Sequence, residues 1–100
     1  MKIETVKEET RIILKVEGRI DTNTSKEFQS ELLLALQKQN QVIADLKEVD
    51  YVSSAGLRAM LIAYKTAESK KGSFILRNLQ NGVREVLDMS GFSRFIQIEE

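Results

Sequence analysis

Two adjacent serines, Ser53 and Ser54, are the residues of this sequence whose type and position could do chemistry. They separate a short apolar run from a segment with helical periodicity, which predicts that they lie at the start of a helix. Helix N-termini carry unpaired N–H groups and a partial positive charge, and both favour a phosphate group. The small residues Ala55 and Gly56 leave a neighbouring hydroxyl accessible to another protein's active site. Ser54 is therefore a candidate phosphate acceptor, and the alternative is that either serine only caps the helix.

A second hypothesis is that the chain is an enzyme with Ser54 as its nucleophile. The sequence contains no histidine to act as general base and no Gly-x-Ser-x-Gly motif. A serine activated by a lysine is the one nucleophilic mechanism that the sequence does not exclude. Cysteine is also absent, which excludes disulfides and thiolate metal sites. We therefore expect no catalytic residue, no bound metal and no cofactor.

Composition narrows the class of protein further. The 15 basic and 15 acidic residues cancel, whereas nucleic-acid binders usually carry a clustered positive excess. No apolar run reaches the roughly 18 residues that a membrane span needs. The N-terminus alternates apolar and charged residues, so it is typical of a strand rather than a signal peptide. We expect a cytoplasmic chain that binds neither nucleic acid nor membrane.

Hydrophobic periodicity predicts the elements that position the two serines, in the order β-β-α-β-α-β-α-β. The strands are predicted at residues 3–6, 12–16, 42–44 and 73–76, with 92–98 as a final strand or extended tail. Thr24 and Glu27 have the spacing of a capping box at the start of the first helix. The second helix follows Ser54, and Asn81 is the predicted cap of the third. The second helix has an apolar stripe that we expect to face the core, made of Leu57, Met60, Leu61 and Tyr64.

This order of elements predicts the fold class. Each β-α-β step favours parallel strands joined by a right-handed crossover. The first two strands are joined by a short polar turn and should pair antiparallel. One hundred residues is the size of one small domain. We expect a single domain over residues 1–100 of the α/β (mixed α+β) class, with a four- to five-stranded mixed sheet and three principal helices.

Three motifs along the chain resemble one known family. The run Val52–Leu57 resembles the signature of STAS domains, Asp-Ser-(Ser, Thr or Ala)-Gly-Leu, found in bacterial anti-sigma factor antagonists. Gly18–Asp21 resembles the family's Gly-x-(Leu/Ile)-Asp, and a pattern from Asn78 to Phe92 resembles its C-terminal part. The match places Ser54 at the phosphorylated position of the family, while Ser53 stands where the family usually has Asp.

The resemblance implies a partner-switching regulator rather than an enzyme. When unphosphorylated, such a protein binds an anti-sigma factor that is also a serine kinase with a GHKL-type ATP site, and this releases the sigma factor. The kinase then inactivates the antagonist by phosphorylating the serine that corresponds to Ser54, and a metal-dependent serine phosphatase restores it. The partner-binding residues that the resemblance implies are Asp21, Ser53, Ser54, Ala55, Gly56 and Arg58.

Alternatives remain open at two of these positions and for the function itself. Asp21 could only cap the turn before the first helix, and Arg58 could be a solvated surface residue. The chain could also be a non-catalytic STAS module that serves for interaction or ligand binding in a larger regulatory assembly.

Overall fold

Five strands form one mixed sheet whose spatial order, β1-β2-β3-β4-β5, follows the chain. The computed structural model describes all 100 residues, Met1–Glu100. β1 and β2 pair antiparallel, and the other neighbours pair parallel. The predicted order of elements and the fold class are confirmed. The strands are β1 (Lys2–Lys7), β2 (Arg11–Glu17), β3 (Gln41–Glu48), β4 (Ser73–Arg77) and β5 (Gln97–Glu99), and the helices are α1 (Ser25–Lys38), α2 (Ser54–Ser69) and α3 (Asn81–Ser90).

The three helices pack on the same face of the sheet. A parallel sheet built strictly in chain order, with right-handed crossovers, places every crossover helix on one side. Buried residues of all three helices accordingly share one core cluster with the alternate strand residues such as Leu14, Ala44 and Leu76. The opposite face has a separate small cluster made of strand residues alone, namely Ile13, Ile43 and Ile75. None of the helices is long and apolar enough to cross a membrane.

The prediction for the core-facing side of α2 is confirmed for Met60 and wrong for Leu61. Leu57 and Tyr64 are half-buried and pack against the core cluster, whereas Leu61 is half-buried and lies outside it. The buried residues of α2 are mostly small ones, Gly56, Ala59, Met60, Ala63 and Ala67. Small side chains let α2 approach its neighbours closely. The helix therefore packs on the core with its small residues, and the larger apolar residues lie at the edge of that contact. Met60 is the one large residue of the predicted stripe that is fully buried.

The different burial of Met60 and Leu61 predicts losses of stability of different size for two neighbouring substitutions. Met60→Ala should lower the free energy of unfolding by about 2–5 kcal/mol, because it leaves a cavity in a fully buried site. Leu61→Ala should cost about 1 kcal/mol or less, because only part of its apolar surface leaves water on folding. Urea titration of both variants measures the difference, and equal losses would contradict this placement of the helix.

The C-terminal segment is more structured than the sequence predicted. Gln80 rather than Asn81 occupies the capping position of α3, and the left-handed Gly91 (φ 85°) ends that helix. A single 3-10 turn at Phe92–Arg94 precedes the short strand β5. The predicted strand or tail over residues 92–98 is thus a strand only in its last part.

Candidate phosphorylation and partner-binding site

Two segments that follow β2 and β3 meet beyond the carboxyl ends of these strands. The Ile20 N–H donates to the Tyr51 carbonyl at 2.9 Å, and the Ser53 N–H donates to the Ile20 carbonyl at 2.8 Å. These bonds form an isolated parallel bridge between Ile20 and Val52. The carboxyl edge of parallel strands is where open α/β sheets usually place their binding sites. The bridge therefore brings the Asp21 region next to the serines, although the two are more than thirty residues apart in the sequence.

Side chains alternate between inside and outside across this bridge, as they do in a strand. Ile20 and Val52 point inward and are buried, with 0% and 5% of their surface exposed. Their neighbours Arg19, Asp21, Tyr51 and Ser53 are exposed or half-buried. These four residues form one outward surface beside the start of α2, which we call the bridge surface.

The two serines have different structural roles. Ser53 is the N-cap of α2, and its hydroxyl accepts a hydrogen bond from the Gly56 N–H at 3.2 Å. Ser54 is the first helical residue, and its exposed hydroxyl has no hydrogen-bond partner in the chain. The N–H groups of Ser54 and Ala55 precede the first intrahelical bond, from Leu57 to Ser53, and have no acceptor. The capping function thus belongs to Ser53, which leaves Ser54 free for another role.

Gly56 is buried, so it contributes to the site by allowing close packing rather than by presenting a surface. A Cβ atom at this position would lie 2.7 Å from Cγ2 of Ile20 and 2.9 Å from Cγ1 of Val52. Real Cβ atoms essentially never come this close to a heavy atom. Only glycine therefore lets the first turn of α2 lie directly against the bridge.

Asp21 organises the turn that leads into α1. Its Oδ1 accepts hydrogen bonds from the N–H groups of Asn23 at 2.9 Å and Thr24 at 3.0 Å. The predicted capping box is wrong, because the Thr24 hydroxyl makes no cap bond to α1. That hydroxyl instead donates to the Arg19 carbonyl at 2.7 Å and accepts from the Asp21 N–H at 2.9 Å. Asp21 therefore does cap the turn before α1, as the alternative interpretation of this residue expected.

These hydrogen bonds lower the pKa of the Asp21 carboxyl below its ordinary value. The Thr24 N–H has the largest effect on this pKa. The Thr24 hydroxyl, which also donates to Asp21 Oδ1 at 3.2 Å, and the Asn23 N–H add to it, and the positive charge of Arg19 acts in the same direction. Partial desolvation opposes them. Because the folded pKa is the lower one, the carboxylate stabilises the fold above its unfolded pKa, and this stabilisation is lost as pH falls through the folded pKa.

Replacing Asp21 should therefore change how stability depends on pH. Asp21→Ala should lower the melting temperature near pH 7, because the N–H groups of the turn lose their acceptor. Asp21→Asn retains an acceptor oxygen without a charge, so it should melt closer to the wild type near pH 7. Both variants should lose less stability than the wild type between about pH 5 and pH 3. Thermal unfolding across this range measures the effect, and parallel acid profiles for all three proteins would contradict it.

Arg58 lies one turn after Ser54 on α2, so the two residues share a helix face. It is exposed and forms no ion pair within the chain.

The structure thus brings the predicted residues together, with Gly56 beneath the surface and the others on it. The sequence did not predict that Arg19 and Tyr51 lie on the same surface, where the Arg19 guanidinium carbon is 4.2 Å from the centre of the Tyr51 ring. The sequence feature that could have indicated this surface is the apolar Ile20 between the charged Arg19 and Asp21, which is the alternation of a strand.

A family model described as the STAS domain matches residues 2–100. The chain belongs to the STAS domain family. It is 33% identical, over 92% of its length and 80% of the relative's, to BtrV of Bordetella bronchiseptica, which is provisionally assigned as an anti-sigma factor antagonist. It is 27% identical to the anti-sigma F factor antagonist of Paenibacillus polymyxa, over 87% of this chain and 76% of that one.

Solved structures of the anti-sigma factor antagonist SpoIIAA share the fold. The unphosphorylated form superposes with a TM-score of 0.82 at 17% identity, over 97% of this chain and 87% of SpoIIAA. The phosphorylated form, from Bacillus, superposes with a TM-score of 0.75 at 16% identity, over 97% of this chain and 90% of that one. The same STAS fold thus has a phosphorylated and an unphosphorylated form in SpoIIAA.

Proposed function

We propose that this chain is an anti-sigma factor antagonist that is controlled by phosphorylation of Ser54. Unphosphorylated, it binds an anti-sigma factor that is also a GHKL-type serine kinase, and the sigma factor is released. The kinase transfers the γ-phosphate of ATP to the Ser54 hydroxyl, whose proton is lost, and ADP leaves. A metal-dependent serine phosphatase hydrolyses the phosphoester and restores the first state. The chain acts in the cytoplasm and supplies a surface and an acceptor rather than catalysis.

The observation that carries this proposal is that the two serines have different structural roles. Ser53 caps α2, whereas Ser54 has an exposed hydroxyl with no partner beside two free N–H groups. A phosphate on Ser54 would meet these N–H groups and the positive end of the helix dipole. Phosphorylation is therefore compatible with the folded domain, and its effect should fall on binding.

The added charge provides the switch. A phosphate group brings about −1.5 to −2 charges at neutral pH. In a desolvated interface it is bulky, and the Asp21 carboxylate on the adjoining bridge surface repels it. A coupling free energy of about 1–3 kcal/mol, typical between linked sites, would weaken partner binding about 5- to 150-fold.

Size-exclusion chromatography with a purified GHKL-type anti-sigma factor kinase tests the proposal. With a non-hydrolysable ATP analogue, the chain and the kinase should elute together. With ATP, the complex should dissociate as mass spectrometry finds one phosphate on the peptide that contains Ser54. Failure to bind any anti-sigma factor kinase, or dissociation without phosphate incorporation, would contradict the proposal.

A further inference from the structure

Arg19 and Tyr51 form an exposed cation–π pair on the bridge surface. The Arg19 guanidinium carbon lies 4.2 Å from the centre of the Tyr51 ring, within the range of this interaction. Tyr51 keeps 41% of its surface exposed, so its ring is accessible to a partner. Both residues flank the Ile20–Val52 bridge, so the backbone fixes their positions next to Asp21 and Ser53.

The polar groups of this pair are unused within the chain. Arg11, Arg77 and Arg84 each form an ion pair with a carboxylate. The Arg19 guanidinium forms none and donates no hydrogen bond, and the Tyr51 hydroxyl has no partner either. The nearby Asp21 carboxylate acts on Arg19 only through its charge, since its Oδ1 accepts from the turn into α1.

Such a pair is preorganised for recognition. Stacking on Tyr51 restricts the guanidinium plane and leaves N–H groups on its edge, in the fork geometry that matches a carboxylate. Tyrosine and arginine are also the residue types, with tryptophan, that most often dominate the binding energy of protein interfaces. Rigid aromatic rings lose little conformational freedom on binding, which favours them as anchors.

We propose that Arg19 and Tyr51 are the anchor through which the unphosphorylated chain binds its anti-sigma factor kinase. Arg19 binds a carboxylate of the kinase, and the exposed edge of the Tyr51 ring packs against an apolar side chain beside that carboxylate. This inference rests on the proposed function and names the part of the same surface that supplies affinity. Because Asp21 lies beside Arg19, the matching kinase surface carries a cation next to its carboxylate, and this charge order fixes the orientation of the complex.

Affinity for the purified kinase in the absence of ATP tests the anchor, measured by calorimetry on proteins whose melting temperatures are recorded. Tyr51→Ala and Arg19→Ala should each weaken binding about tenfold or more, as expected of interface anchors. Tyr51→Phe keeps the ring and should stay within about threefold of the wild type. Arg19→Lys keeps the charge but not the planar fork, so it should fall between wild type and Arg19→Ala.

Phe95→Ala and Arg94→Ala are the matched controls. Phe95 has the same exposed fraction as Tyr51, 41%, but it packs on Tyr64, about 15 Å along α2 from Ser54. Arg94 is exposed and has no ion pair. Neither control should change the affinity by more than about twofold, because both lie away from the bridge surface.

Three outcomes would overturn the anchor while leaving the proposed function intact. The first is wild-type affinity in Tyr51→Ala and Arg19→Ala, and the second is an equal loss in the controls. The third is an Arg19→Ala protein that binds normally when unphosphorylated but whose phosphoserine is hydrolysed faster by phosphatase, which would assign Arg19 to the phosphate. A wild-type chain that binds no anti-sigma factor kinase would instead overturn the proposed function and the anchor together.

Discussion

Replacing Ser54 with alanine is expected to abolish phosphate incorporation and to keep the chain bound to its kinase in the presence of ATP. The fold should barely change, since the Ser54 hydroxyl is exposed and has no hydrogen-bond partner. The free energy of unfolding should stay within about 0.5 kcal/mol of the wild type, as for other surface substitutions. Phosphopeptide mapping, urea titration and co-elution with the kinase in ATP measure these three results.

Ser53→Ala is the matched control one residue away, and the opposite pattern is expected. Ser53 caps α2 through the Gly56 N–H, so its loss should cost about 1 kcal/mol of stability. Its hydroxyl faces the helix end, and the phosphate should still be added to Ser54. Phosphate on Ser53, or full phosphorylation of Ser54→Ala, would refute the acceptor assignment but leave partner switching possible. Ser54→Asp should bind the kinase weakly, although its single charge mimics a phosphate incompletely.

The order of elements could be predicted from the sequence because it depends on local periodicity. Alternating and helical apolar patterns occur within each segment, and the chain-order sheet follows from the handedness of β-α-β crossovers. The buried face of α2 could not be predicted in this way. The pattern favoured its larger residues Leu57 and Leu61, whereas the closeness of the packing selects the small ones, such as Ala59 and Ala63. That closeness is a tertiary property which hydrophobicity alone does not encode.

The arrangement of the candidate site was predictable where it lies in one segment and not where two segments meet. Ser54 and its small neighbours are consecutive, so the start of the helix identified them. The role of Thr24 was misjudged because its hydroxyl bonds to the loop at Arg19 and Asp21 rather than to its own helix. The stacking of Arg19 on Tyr51 depends on the bridge between Ile20 and Val52, which lies beyond the strands that the pattern revealed.

Gly56→Ala is expected to damage both stability and phosphorylation, although alanine is the better helix former. In an exposed helix, this change would stabilise the protein by about 1 kcal/mol. Here the new Cβ would lie 2.7 Å from Cγ2 of Ile20 and 2.9 Å from Cγ1 of Val52, both of which are buried. Overpacking of this kind costs about 1–3 kcal/mol, because neighbours in a filled core cannot retreat freely.

Gly82→Ala provides the matched control in the same protein. Gly82 also lies in the first turn of a helix, but apart from its chain neighbours and its own helix backbone no atom is within 4 Å of its added Cβ. This variant should gain about 0.4–1 kcal/mol through the reduced entropy of its unfolded chain. Opposite signs for the two glycines in urea titration would attribute the loss at Gly56 to contact with the bridge. A gain at both positions would show that α2 does not lie against Ile20.

The functional effect of Gly56→Ala follows from the way the new contact with Ile20 and Val52 must be relieved, which is by moving α2 away from the bridge. Ile20 precedes Asp21, so moving α2 away from Ile20 separates Ser54 from the bridge surface that we propose binds the kinase. A shift of about 1 Å can slow group transfer about 100-fold, so we expect phosphorylation to fall at least tenfold at temperatures where the variant is folded. Adding Ile20→Leu removes the Cγ2 methyl at nearly constant volume and should recover part of both losses, while the contact with Val52 remains. Recovery in the double variant would mean that the effects of the two substitutions are not additive, as expected for residues in contact. Losses of stability and of phosphorylation that simply add would contradict this account of Gly56.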